Sequence, residues 1–186
     1  MIELRNITKA FTTGADDGTL SLFTLPRWRV DYVHRVLAAN QAKIKEKKRP
    51  ACGDTLRVFE AKDGIFCALL CDGMGHGTQA ASISGICGVF LEQVLRAGVG
   101  VNTALRMLNH YLLSRIQSPE DEISSTVDLF MLNLYTGQGQ FVKSGAAASL
   151  ILRDDRLFRL SSHTFPIGIL HAVDAQILPF EAQAGD

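Results

Sequence analysis

Neither sign of charge predominates: nineteen Lys and Arg residues balance nineteen Asp and Glu residues over 186 positions. Such a chain has no overall field to draw in nucleic acid or an anionic membrane. Its largest basic run, residues 43–49, reads as a solvated loop. Long apolar runs are missing as well. Stretches such as 65–71 and 86–91 fall far short of the roughly 20 residues needed to cross a bilayer, so no membrane helix is expected. Residues 1–11 are punctuated by charges and lack an apolar stretch before a cleavage site, which predicts no signal peptide and a chain that stays in the cytoplasm. Cys52, Cys67, Cys71 and Cys87 form no C-x-x-C pair, and three of them lie among apolar residues. They are read as reduced core side chains rather than zinc ligands. No G-x-x-x-x-G-K-S/T loop, internal repeat or low-complexity tract occurs.

What is present is an ordinary globular composition, 47% hydrophobic and 20% charged, with room for one domain and a real core. Residues 1–25, with TTGADDGT at 12–19, show no sustained periodicity and read as an N-terminal arm or short hairpin; the domain proper is placed at 26–186. WRVDYVH puts Trp28, Val30, Tyr32 and His34 on one side of an alternating strand. Residues 56–61 and 65–71 flank Lys62-Asp63-Gly64 and predict an antiparallel hairpin. Residues 78–96 repeat apolar positions at helical spacing and stop at Gly98, and a second helix over 102–117 puts Ala104, Leu105, Leu108, Leu112 and Ile116 on one stripe. The remainder is strand-like at 126–135, 140–144, 149–153, 156–160 and 175–180. Two helices bracketed by antiparallel strands make an α+β fold.

The segment that invites chemistry is Asp72-Gly73-Met74-Gly75-His76-Gly77, a strand end followed by three glycines and a helix. One carboxylate on a bare turn suits a hard cation such as Mg²⁺ or Mn²⁺, which prefers oxygen ligands, and the Gly73 carbonyl is a sensible second donor. A hairpin closed at Lys62-Asp63-Gly64 places Asp54 opposite Asp72 at its open end. Two other readings stand beside this one. Residues 75–80 fit G-x-G-x-x-A, a dinucleotide-binding pattern that requires a parallel sheet. Alternatively, Asp72 simply caps the helix.

Four segments then match one family in order and spacing: GDT at 53–55, CDGMGHGTQAASIS at 71–84, STVDLFMLNLYTGQGQFVKSGAAASLILR at 125–153 and PIGIL at 166–170. Over about residues 28–186 the chain resembles the stage II sporulation protein E family. The resemblance implies a metal-dependent serine/threonine phosphatase of the PPM (2C) type: a β-sandwich flanked by helices, incomplete here at the C-terminus. It implies that Asp54, Asp72 and the Gly73 carbonyl bind metal. Two Mn²⁺ or Mg²⁺ ions would activate water for in-line attack on a phosphoserine, with no covalent intermediate. The implied substrate is a phosphorylated anti-anti-sigma factor, and the two helices are expected to act as a switch and homodimer surface. Asp186 matches a Gly-Asp pair that precedes two further metal-ligand aspartates in the family. Those aspartates and the family's N-terminal transmembrane region are not in this sequence, so a non-catalytic regulatory or oligomerisation module is the competing expectation.

Other residues carry plainer expectations. His76 is read as exposed, and His34, His110, His163 and His171 as unclustered. Asp128 falls mid-strand, where a buried carboxylate calls for a partner. Arg29 is a surface arginine with the chemistry to bind phosphate.

Overall fold

The computed structural model describes residues 52–118, 122–183 and 186. The expected arm at 1–25, the strand beginning at Trp28, Arg29, His34 and the basic loop at 43–49 lie outside the described residues.

The hairpin forms where Lys62-Asp63-Gly64 permits it. Strand β1 (Asp54–Ala61) and strand β2 (Ile65–Gly73) pair antiparallel from Ala61↔Ile65 to Asp54↔Asp72. The reversal needs left-handed backbone at Asp63 (φ 63°) and Gly64 (φ 71°), the residue types that tolerate it. Helix α1 (Gly77–Arg96) follows the turn directly and helix α2 (Val101–Arg115) follows after four residues. Strands β3 (Ser125–Asn133) and β4 (Gln138–Ser144) continue the sheet. Strands β5 (Ser149–Arg153) and β6 (Arg156–Leu160) make a separate hairpin, and β7 (Gln176–Glu181) returns to the sheet edge. The main sheet has order β1-β2-β3-β4-β7, with every pairing antiparallel.

Period-two alternation divides this sheet into two faces. On one, Phe59, Cys67, Leu69, Cys71, Val127, Leu129 and Val142 pack under α1 and α2, which contribute Ile83, Cys87, Leu91, Leu95, Ala104, Leu105, Leu108 and Leu112. On the other, Phe66, Ala68, Phe130, Leu132 and Phe141 pack with Ile151 and Leu160 of the β5–β6 hairpin. The sheet is thus sandwiched between a helical layer and a two-stranded layer, and the α+β reading holds. Cys67, Cys71 and Cys87 are buried and free, as their apolar surroundings suggested.

One position on the expected stripe of α2 departs from it. Ile116 is 37% exposed, because the helix ends at Arg115 and Ile116 turns to extended backbone (φ −71°, ψ 117°).

Candidate metal centre

The register of β1 and β2 puts Asp54 directly across from Asp72 on the same sheet face. Asp54 is buried at 7% exposure, whereas Asp72 is exposed. Gly73 follows at the strand end, and its amide donates to the carbonyl of Gly53 at 3.0 Å. A methyl group on Gly53 would stand 3.5 Å from Asp72 Oδ1 and 3.6 Å from the Gly73 carbonyl oxygen. The carboxylate and the carbonyl therefore border one small space beside Gly53, kept open because that residue has no side chain. The two oxygens are donors of the kind a hard divalent cation takes, and the Ala80 methyl, 3.3 Å from the same point, closes the space on its apolar side.

The turn itself is clamped from two sides. On the helix side, a Cβ on Gly73 would meet the Ala80 carbonyl oxygen at 2.1 Å, so only glycine lets the first turn of α1 sit this close. On the β3 side, Asp72 N donates to Thr126 Oγ1 at 3.1 Å and Met74 N donates to the Ser124 carbonyl at 2.9 Å. The Ser125 hydroxyl lies 3.1 Å from the Asp72 carbonyl and 3.0 Å from that of Thr126, so its single proton is shared between them.

These contacts dispose of the two rival readings. The N-cap of α1 is His76 and no side chain caps it, so Asp72 is not the helix cap. Both neighbours of β2 are antiparallel, which removes the parallel βαβ unit that a dinucleotide site requires. His76 is exposed, as expected.

Asp128 does find the partner its position demanded. Lys143, fully buried and directly across on β4, donates to Asp128 Oδ2 at 2.7 Å and to Ser149 Oγ at 2.7 Å. Ser149 Oγ donates to the same carboxylate oxygen at 3.1 Å. This ion pair sits on the face that carries Asp54 and Asp72, two residues further along the strands. Asp186 is held elsewhere: Arg153 grips it through Nε and Nη2, each at 2.5 Å. Among the described residues, no three His, Cys, Asp or Glu side chains gather as a metal-binding group.

Two features had no sequence signal. A carboxylate oxygen of Glu122 comes within 3.6 Å of where a Cβ on Gly75 would lie, which brings a third acid near the turn from a distant loop. His110 and His171, unclustered along the chain, line one groove of about 410 Å³ with Asn102, Arg106 and Asn109. Only the fold, which lays residues 171–175 along α2, brings them together.

The buried thiols add no ligand. Burial pushes Cys67 up to about 12 and Cys87 to about 11, and raises Cys71 well above the ordinary thiol range. None supplies a thiolate near neutral pH.

The stage II sporulation protein E (SpoIIE) family model matches residues 62–186. The chain is 31% identical over 134 residues to stage II sporulation protein E of Bacillus subtilis (strain 168), covering 72% of this chain. It spans only 16% of that relative's length. Its backbone resembles the PP2C phosphatase domain of SpoIIE from Bacillus subtilis with a TM-score of 0.64 and 29% identity, over 74% of this chain and 39% of that one. The fold also resembles RsbX crystallised with magnesium, with a TM-score of 0.57 and 15% identity, over 74% of this chain and 64% of that one.

Proposed function

The chain belongs to the stage II sporulation protein E family, and on that premise we propose that it carries the front part of a metal-dependent phosphoserine or phosphothreonine protein phosphatase. The observation that carries this reading is the register Asp54↔Asp72, with the Gly73 carbonyl at the same strand end. Asp54, Asp72 and the Gly73 carbonyl would hold Mn²⁺ or Mg²⁺. When bound, such an ion supplies positive charge for a phosphoryl group and makes a bound water acidic enough to attack phosphorus.

The remaining work falls to the chain. Gly75 and Gly77 carry no side chain at the exposed part of the turn, so that a phosphorylated side chain on a folded protein has room to approach. Thr126 and Ser125 hold the N–H and the carbonyl of Asp72, the backbone leading into Gly73. Lys143 neutralises Asp128, so that this nearby carboxylate does not repel a phosphate. The substrate class that fits the family is a phosphorylated regulatory protein of the anti-anti-sigma-factor kind, acted on in the cytoplasm. A homodimer is part of the same reading. Among the described residues, no helix is long and apolar enough to cross a membrane.

A second reading is a phosphatase-like regulatory or oligomerisation module without catalysis. It is favoured by the donor count: the register brings two aspartates and one strand-end carbonyl to this place, and no group of three candidate side chains forms among the described residues. Titration calorimetry of the 186-residue chain with Mn²⁺ separates the two. The phosphatase reading expects saturable binding that Asp72→Asn abolishes, and Mn²⁺-dependent phosphate release from a phosphoserine protein by the gene product that carries this sequence. Binding that survives Asp72→Asn would remove the site assignment.

A further inference from the structure

Asn109 lies on α2, one element away from the metal turn in space and 37 positions away in sequence, yet it is tied to that turn by an unbroken run of hydrogen bonds. The run starts at the buried Asn109 side chain, which is 2% exposed. Its Nδ2 donates to the carbonyls of Leu170 (2.9 Å) and His171 (3.2 Å), and its Oδ1 accepts from the Gly168 amide (2.8 Å). Two carbonyls and one N–H on the partner side permit only one orientation of the amide.

The next link is Ile167, which exchanges two backbone hydrogen bonds with Ser125 at 2.9 and 3.0 Å. The last is Ser125, whose hydroxyl reaches the Asp72 carbonyl and so bears on the peptide joining Asp72 to Gly73. Gly168 makes the stack compact. A Cβ there would stand 2.5 Å from the Ile123 carbonyl oxygen, and its φ of +95° suits only glycine. The middle of the run is dry: Ser125 is 0% and Ile167 2% exposed.

We infer that Asn109 and Ser125 are positioning residues for the metal turn. Asn109 fixes the 167–171 segment against α2, that segment fixes Ser125, and Ser125 sets the orientation of the Asp72–Gly73 peptide and hence of the carbonyl that follows it. The inference rests on the metal-site reading above for its consequence, but the mechanical coupling stands apart from it. Outer-shell partners of metal ligands commonly change affinity by about 10–100-fold when removed.

The test uses the 186-residue chain with Asn109→Ala, Asn109→Asp and Ser125→Ala, and with Leu132→Ala, a core truncation at the far end of the sheet beside the 62–64 turn, as the control for lost stability. Two readouts are taken well below each variant's melting temperature. The first is hydrogen exchange of the Met74 amide, which donates to Ser124; the second is the Mn²⁺ concentration that broadens the amide signals of residues 72–75.

Asn109→Ala and Ser125→Ala should speed exchange at Met74 and weaken Mn²⁺ binding at least about tenfold. Asn109→Asp, which keeps an acceptor for Gly168 but turns a carboxylate oxygen toward the two carbonyls, should do no better than Ala. Leu132→Ala should lower the melting temperature and move neither readout. Unchanged Met74 exchange in Asn109→Ala and Ser125→Ala overturns the inference, whatever the metal does, and so does an equal effect of Leu132→Ala. If the wild type shows no Mn²⁺ broadening while Met74 exchange responds as expected, the metal reading fails and the coupling stands.

Discussion

The two faces of the main sheet solve different problems with the same alternating strands. The helix-covered face is apolar along nearly its whole length and carries three buried thiols; its few polar contacts, Thr55 with Ser84 and Arg57 with Glu92, seat α1 on β1. The opposite face is apolar only toward the 62–64 turn, where Phe66, Phe130, Phe141 and Phe180 cluster. Toward the other end it becomes ionic, with Asp54, Asp72, Asp128 and Lys143 in neighbouring rows. The first face holds the fold, and the second gives up part of its apolar area to place carboxylates beside a bare glycine turn. Charges of this kind persist in a partly buried setting only where each is matched.

The sharpest way to break that contrast is to unmatch one charge. Asp128→Ala leaves the Lys143 ammonium fully buried with Ser149 as its remaining side-chain partner. Removing one member of a buried pair costs about 3–5 kcal/mol, and urea denaturation should show a loss of that order. Asp128 is itself 22% exposed at the side chain, so Lys143→Met, which strands the wetter partner, should cost clearly less. Replacing both residues with apolar ones of similar size should recover most of the loss. Equal costs for the two single variants would show that the pair is solvated and that this end of the sheet is not the low-dielectric environment described.

A smaller effect reports on the dryness of the helix face. The folded-state values of Cys67 and Cys87 are raised by burial from an ordinary value near 9 to about 12 and about 11. In the unfolded chain these thiols ionise near 9, so the native state holds more protons between that pH and the raised values. Stability is therefore unaffected below about pH 9 and falls as pH rises toward 11. Denaturation midpoints at pH 8, 9.5 and 10.5 should decline in that order, and Cys67→Ala/Cys87→Ala should flatten the decline.

Much of this arrangement was legible in the chain itself, because local chemistry dictated it. Lys62-Asp63-Gly64 set the hairpin, the hairpin set the register, and the register put Asp54 opposite Asp72. Asp128 announced its need for a partner by lying mid-strand. What could not be read was which residue would answer, since Lys143 becomes its neighbour only through the β3–β4 pairing. Asn109 was hidden for a related reason. It sits among the buried positions of α2 beside Leu108 and Leu112, and nothing local says that its amide meets carbonyls some sixty residues away. Glu122 and the pairing of His110 with His171 likewise arise from chain returns with no periodic signature.

The smallest expected effect concerns the outer side of the β5–β6 hairpin. Ile151 and Leu160 turn inward to the sheet, while Leu150, Leu152 and Leu157 point away and are 61%, 56% and 65% exposed. Cross-strand pairing puts Leu152 opposite Leu157, so the two form one small apolar step beside Leu150 on the same side of the hairpin. Surface substitutions away from buried contacts change stability by no more than about 0.5 kcal/mol, so Leu152→Lys should leave the urea midpoint nearly where it was. A loss several times larger, growing with protein concentration, would mean that another copy covers this step. The outer side of the β5–β6 layer would then be covered by association, whereas both sheet faces are covered by the chain itself.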